Sequence, residues 1–212
     1  MAENYYQQAN GCLKNKLGIE DPQVLRYLEY KEVDQNQIAL LKNADNVKTD
    51  SFEDIARVHR YLFGDIYDWA GKTRDNLPGH PDLQKSDHRF LPSGLIGNSS
   101  QWINTELSQT NAKKKPDKLD YANLLLDINQ AHPFYEGNGR ATKTFLQALA
   151  NHHGQNIKYP RRQKELIQAM DAQNPEMMAK FIDVDDIENE GLAKTTNKSA
   201  GRSISNENTL DY

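Results

Sequence analysis

The chain has 212 residues and a formal net charge of −4, so its composition gives no indication of binding to nucleic acid or to an anionic membrane. Cys12 is the only cysteine, which excludes a disulfide framework and a cluster of cysteine metal ligands. The sequence shows no apolar run of membrane length and no signal peptide. We therefore expect one compact domain in the cytoplasm, although a secreted effector would have the same composition.

The N-terminal part is predicted to be helical. Residues 1–50 are expected to form two or three helices that cover one side of the core. Ser51 is a typical N-cap, and the apolar residues after it recur at helical spacing to about Ile66. His59 lies on that apolar stripe, and we interpret it as a packed core histidine.

Residues 71–92 interrupt the helical pattern with several glycines and prolines. A connection of this length inside a compact domain is usually functional. Helical spacing then returns in further segments: residues 93–109, from Asp117 or Asp120 to His132, from about Asn138 to His152, residues 160–173 and residues 175–182. The pattern predicts an all-α fold of about eight helices with almost no sheet.

One stretch between two predicted core helices combines residues that are suited to bind an anion. It runs from His132 to Lys143 with the sequence HPFYEGNGRATK, and the second helix is expected to begin at about Asn138. The N-terminus of a helix carries unpaired N–H groups and the positive end of the helix dipole, so it attracts phosphate. Gly137 and Gly139 lack a Cβ, which lets the backbone approach an oxyanion closely.

The side chains around this turn suit a transferase. His132 can accept a proton near neutral pH, as a general base must. Arg140 and Lys143 lie on one face of the first helical turn, so both can reach one polyphosphate. Glu136 is suited to hold Mg²⁺, which bridges carboxylate and phosphate oxygens. The stretch therefore predicts a site for a magnesium nucleotide with a base beside it.

A P-loop is the alternative phosphate site. The run from Gly137 to Lys143 and Thr144 contains part of the pattern G-x-x-x-x-G-K-[ST], but Thr142 stands where the second glycine is required. No strand pattern precedes the loop, although a P-loop follows a strand. We therefore reject a P-loop.

The stretch resembles the signature of the Fic family, H-x-F-x-[D/E]-G-N-G-R-x-x-R, at every fixed position except the last, where this chain has Lys143. Residues 62–74 resemble the family's segment that leads into its target-docking flap, and the likeness extends over about residues 10–183. The resemblance implies a Fic-type helical bundle with a small β-hairpin flap.

The resemblance also implies a division of the chain. The Fic domain would span residues 1–183, with the helical cover at 1–50 and the core at 51–183. Its flap would lie at about residues 74–92, where a target segment is added as a strand. Arg89 and Phe90 would belong to the closing limb of that flap.

The activity implied by the resemblance is transfer of AMP from Mg-ATP to a Ser, Thr or Tyr hydroxyl of a target protein. His132 would be the base and Glu136 the Mg²⁺ ligand. The residues implied to bind ATP phosphates are Gly137, Asn138, Gly139, Arg140 and Lys143. A Fic-type phosphotransferase and a nucleotide-binding regulator without turnover stay open as alternatives, and so does a homo-oligomer.

Residues 184–212 are predicted to be a polar tail, because they hold too few apolar residues to build a core. Within the tail, Ser203 to Asn208 fits the family's inhibitory motif, [S/T]-x-x-x-E-[G/N]. The resemblance implies that Glu207 would pair with Lys143 and so obstruct the phosphate site. If the tail is not inhibitory, the glutamate is expected from a small antitoxin protein.

Overall fold

The computed structural model describes residues 5–85, 88–159 and 168–187, and these residues are mostly helical. Residues 168–171 are helical, and the helices with both ends inside the described ranges are α1 at Pro22–Lys42, α2 at Phe52–Phe63, α3 at Ile96–Asn111, α4 at Lys118–Ala131, α5 at Asn138–His152 and α6 at Pro175–Ala179. The predicted all-α bundle is confirmed. Among the described residues, none of the helices combines the length and the apolar character that a membrane span needs.

The predicted starts of α2 and α4 agree with the structure. Ser51 and Asp54 form a capping box at the start of α2. Asp117 caps α4 by accepting hydrogen bonds from the N–H groups of Leu119 and Asp120. These caps fix where α2 and α4 begin, and both helices then bury their apolar faces against α5 in the centre of the bundle. The largest fully buried apolar side chains of the three helices are Ile55, Leu62, Phe63, Tyr121 and Phe145.

The N-terminal cover differs from the prediction. Within the described residues it consists of one long helix, α1, and a single 3-10 turn at Ala44–Asn46, instead of two or three helices. The segment before α1 is not helical and packs on the loop between α4 and α5. The Tyr6 ring lies 4.4 Å from the ring of Tyr135, and the Tyr6 hydroxyl donates to the carbonyl of Pro78 at 2.6 Å.

Two small antiparallel sheets accompany the helices. The first is a hairpin of β1 at Gln84–Lys85 and β2 at His88–Arg89, inside the predicted flap. The hairpin confirms the β-hairpin flap of the expected fold. The segment after it was predicted as one helix over 93–109, and it is a 3-10 turn at Ser93–Leu95 followed by α3.

The second sheet was not predicted. It pairs β3 at Gln155–Lys158 with β4 at Asp183–Asp186, and β4 crosses the boundary between residues 183 and 184, where the tail was expected to begin. The strands are short, and β4 is mostly aspartate, a poor strand former, so the sequence pattern does not predict them. Lysines from other elements compensate the carboxylates through the ion pairs Lys158–Asp185 at 2.6 Å, Lys115–Asp186 at 2.7 Å and Lys118–Asp183 at 2.7 Å.

Arg74 joins the flap to the end of α4. Its side chain is fully buried, and all its hydrogen bonds in the structure go to backbone carbonyls. On the flap side it donates to Pro81 at 2.9 Å and to Leu91 at 2.7 Å. On the helix side it donates to Ala131 at 3.1 Å and to His132 at 2.8 Å. One guanidinium therefore holds both limbs of the flap against the residue that follows α4.

Arg74→Met should destabilise the protein, because it leaves four carbonyl groups without a donor in a buried position. We expect the free energy of unfolding to fall by about 3 kcal/mol. Urea unfolding followed by circular dichroism measures this change. Arg60→Met is the matched control, since Arg60 is exposed, and it should shift stability by less than about 0.5 kcal/mol. Equal stability of the two variants would show that the Arg74 hydrogen bonds are replaced by water at no cost.

Candidate active site

The loop between α4 and α5 is bounded by two residues in the left-handed region. His132 has φ 42° and ψ 57°, which a residue with a side chain adopts only at a cost. Gly137 has φ 80° and is the N-cap of α5. A Cβ on Gly137 would lie 2.4 Å from Cζ of Phe63, so only glycine fits there. A Cβ on Gly139 would meet no atom of the described residues within 4 Å, so these residues leave the space beside the first turn of α5 open.

Asn138 closes the loop on itself. Its side-chain oxygen accepts the N–H of Phe134 at 2.8 Å, and its amide nitrogen donates to the carbonyl of Phe134 at 2.7 Å. The Asn138 side chain is buried, so what it can offer an anion is chiefly its backbone N–H. The first helical hydrogen bond of α5 runs from the N–H of Ala141 to the carbonyl of Gly137. The N–H groups of residues 138–140 therefore have no acceptor within the helix.

His132 lies at the other end of this loop, under the flap. Its ring stacks on the ring of Phe90, with centroids 3.6 Å apart and planes 17° from parallel. Burial, followed by the positive charge of Arg74, lowers the pKa of His132 to about 3. The imidazole is therefore neutral at pH 7 and can accept a proton. Arg89, the last residue of β2, is exposed.

Glu136 is the most accessible charged group of the loop. Its side chain is 52% exposed, and its Oε1 accepts the N–H of Gly137 at 2.9 Å. The same oxygen lies 3.7 Å from Nη2 of Arg140. These contacts leave most of the carboxylate free for a cation.

Arg140 is held by α1. Its Nη2 lies 2.5 Å from Oε1 of Glu29, which is buried and accepts a second hydrogen bond from the Tyr67 hydroxyl. The guanidinium also lies over two aromatic rings, 4.7 Å from the centroid of Tyr30 and 4.8 Å from that of Phe63. Its Nη1 is buried and finds no hydrogen-bond partner among the described residues. Arg140 is therefore fixed on one side and has a donor left on the other.

Glu29 is a site residue that was not predicted from the sequence. The signal was present, since Glu29 shares the buried face of α1 with Leu25, Val33 and Leu40, and an acid on an apolar stripe requires a cation. A pocket of about 290 Å³ lies where α1 faces the loop, and Glu29, Glu136 and Arg140 contribute to its wall. This pocket is the concave surface next to the N-terminus of α5.

Lys143 has a different environment from Arg140. Its ammonium group lies 5.0 Å from the ring centroid of Tyr159, and burial lowers its pKa. Among the described residues it forms no ion pair. Ser203 and Glu207, which were expected to form an inhibitory contact with this lysine, lie outside the described residues.

Glu29→Gln should destabilise the protein, because it removes the charge that compensates a half-buried guanidinium. We expect a loss of about 2 kcal/mol in the free energy of unfolding, since the amide keeps the shape and part of the hydrogen bonding. Asp34→Asn removes an exposed carboxylate from the same helix and serves as the control in the same urea titration. Identical losses in both variants would contradict a specific contribution of the Glu29–Arg140 pair.

Comparisons with known proteins relate the chain to one family. Residues 49–150 match the model of the Fic/DOC family. Protein adenylyltransferase VbhT of Bartonella schoenbuchensis is 28% identical over 165 residues, which are 76% of this chain but only 33% of that protein. "Probable protein adenylyltransferase Fic" of Salmonella typhimurium is 28% identical over 156 residues, 71% of this chain and 73% of that protein.

A solved structure supports the fold. The BepC effector protein of Bartonella tribocorum, with bound AMPPNP, is similar with a TM-score of 0.71 and 21% identity, over 85% of this chain and 97% of that one. The likeness extends beyond the family match at residues 49–150, because it covers 85% of this chain. The chain therefore contains a domain of the Fic/DOC family, over residues 49–150.

Proposed function

We propose that the chain is a protein adenylyltransferase that transfers AMP from ATP to a Ser, Thr or Tyr hydroxyl of a target protein. The observation that carries the proposal is a neutral imidazole, His132, at one end of a short loop whose other end is the N-terminus of α5. The names of the relatives from Bartonella schoenbuchensis and Salmonella typhimurium support the same activity.

The phosphates of ATP would bind at the start of α5. The unpaired N–H groups of residues 138–140 and the open space beside Gly139 suit phosphate oxygens. Arg140 has the unused Nη1 donor, and Lys143, about one turn further along α5, would add a point charge. Because Glu29 already compensates Arg140, the net attraction for the departing pyrophosphate falls mainly on Lys143.

Glu136 fits the role of a Mg²⁺ ligand. Mg²⁺ is usually bound by one or two carboxylates together with substrate phosphates, so a single accessible carboxylate beside a phosphate site is sufficient. When bound, Mg²⁺ would neutralise charge on the phosphates and orient them. The carboxylate itself is kept at the mouth of the loop by the N–H of Gly137.

His132 would take the proton from the target hydroxyl as the hydroxyl oxygen attacks the α-phosphorus and pyrophosphate leaves. A pKa of about 3 makes this imidazole a weak base in the free protein. Bound phosphates bring negative charge close to the ring and raise its pKa, so the base gains strength when ATP is present. Phe90 covers the ring, and Arg89 lies on the adjacent strand, where a target segment can be added to the flap.

His132→Ala should abolish transfer and spare ATP binding, because the ring does not hold the phosphates. The protein is incubated with magnesium and with ATP labelled on the α- or the γ-phosphate, and label on the protein itself or on added protein substrates is counted. We expect label from α-labelled ATP only, with a loss of at least about 100-fold in the variant. His153→Ala, at the far end of α5, is the control and should keep full activity.

Other results of the same assay identify the alternatives. Transfer from γ-labelled ATP would indicate a phosphotransferase, and ATP binding without any transfer would indicate a regulator. Unchanged activity in the His132→Ala variant would exclude His132 as the base.

We also propose that the Fic domain extends over residues 1–183, to which the rest of β4 adds residues 184–186, and that Glu207 in the tail inhibits it by pairing with Lys143. The half-buried ammonium group, without an ion pair among the described residues, is suited to accept such a carboxylate.

Glu207→Gly should raise the rate of AMP transfer by about tenfold, the value of one charged hydrogen bond of about 1.4 kcal/mol. The rate is measured with α-labelled ATP. Glu190→Gly, in the same tail but outside the motif, is the control and should leave the rate unchanged. If neither variant is faster, the inhibitory glutamate belongs to a separate antitoxin protein or is absent.

A further inference from the structure

His59 on α2 is fully buried below the loop and satisfies both of its ring nitrogens with backbone groups. Its Nδ1 accepts the N–H of Gly71 at 2.9 Å, and its Nε2 lies 2.9 Å from the carbonyl oxygen of Glu136. A backbone N–H can only donate and a carbonyl can only accept. The imidazole is therefore neutral, with its proton on Nε2.

The ring itself is fixed by its neighbours. It stacks between Phe63 and Phe134, at centroid distances of 4.7 Å and 3.9 Å. Burial lowers the pKa of His59 to about 4, so the neutral form persists at physiological pH. Gly71 has φ 78°, and a Cβ there would lie 2.7 Å from Cβ of Arg60, so the N–H that orients the ring is fixed as well.

His59 and the carboxylate of Glu136 bind opposite sides of the same peptide group. The peptide that links Glu136 to Gly137 presents its C=O to Nε2 of His59 and its N–H to Oε1 of Glu136. If this peptide rotated, the N–H that holds the carboxylate would turn away from it. The orientation of the proposed Mg²⁺ ligand therefore depends on the hydrogen bond from His59.

We infer that His59 is a positioning residue: by donating to the Glu136 carbonyl, it holds the Glu136 carboxylate in the orientation that binds the magnesium of Mg-ATP. This inference rests on the proposed function for its ligand, but the local effect of His59 on the peptide can be measured without any nucleotide. No contact of His59 with substrate is required.

Two substitutions separate the hydrogen bonds of His59. In His59→Asn the amide oxygen can accept from Gly71 near the position of Nδ1, but the side chain is too short to reach Glu136. In His59→Gln the amide nitrogen can reach the position of Nε2 and donate to the Glu136 carbonyl. The inference predicts that the glutamine variant resembles the wild type and that the asparagine variant does not.

The first measurement uses the full chain without nucleotide. Amide hydrogen exchange at Gly137, followed by NMR, should be about tenfold faster in His59→Asn than in the wild type, and close to the wild type in His59→Gln. Equal exchange in the wild type and His59→Asn would overturn the inference, whatever the activity of the protein.

The second measurement is calorimetric titration with ATP, in excess Mg²⁺ and in EDTA. In EDTA, we expect the His59→Asn variant to bind ATP with the affinity of the wild type. In Mg²⁺, we expect its affinity for ATP to be at least about tenfold lower than that of the wild type, and the affinity of His59→Gln to be close to the wild type. Equal losses in Mg²⁺ and EDTA would indicate a merely structural role and overturn the inference. Amide exchange at Gly137 could change as predicted while Mg²⁺ fails to raise the affinity of the wild type for ATP. That result would contradict the proposed function but would still support the effect of His59 on the peptide.

If the His59→Asn variant does not fold, the His59→Gln variant tests the inference by itself. This variant loses the Gly71 bond and keeps the Glu136 bond, so a near-normal response to Mg²⁺ supports the inference. A tenfold loss of that response in a folded His59→Gln protein would overturn it.

Discussion

The site depends on hydrogen-bond donors that reach the carbonyls of the α4–α5 loop from outside it. Arg74 supplies its guanidinium to Ala131 and His132, and His59 supplies Nε2 to Glu136. Asn138 binds the carbonyl of Phe134 from the first residue of α5. Because these carbonyls are all turned towards buried donors, the N–H groups at the start of α5 can face the opposite side. An anion site made of backbone N–H groups requires this separation, since a carbonyl oxygen at the same place would repel phosphate.

The positive charge of Arg140 is balanced by two carboxylates close to it. Glu29 neutralises Arg140 from the α1 side, and Glu136 lies within 3.7 Å of the same guanidinium. Under the proposed function, this balance of charge would favour a ligand that brings a cation of its own, such as Mg-ATP, over a bare polyanion. Lysine at position 143 gives a single charge without the planar fork of arginine, so in the proposed site the orientation of phosphate would depend on the backbone and on Arg140.

The sequence was sufficient for the parts that follow from local chemistry. The helix starts at Phe52, Lys118 and Asn138 follow from capping residues and apolar spacing, and the His132 loop follows from its own composition. His59 was rightly interpreted as a buried histidine, but its two partners come from distant segments and no spacing indicates them. The β3–β4 pair depends on contacts between remote lysines and aspartates, which local propensity does not show.

The ion pair between Glu29 and Arg140 joins α1 to the segment that matches the family model. The family match begins at residue 49, so a shortened protein that starts there would lack α1 altogether. Such a truncation would expose Arg140 to water on the side where Glu29 and Tyr30 now enclose it, and would remove the ring of Tyr6 from Tyr135. The smallest unit that preserves the proposed phosphate site is therefore larger than the matched segment, because α1 forms one wall of the pocket beside it.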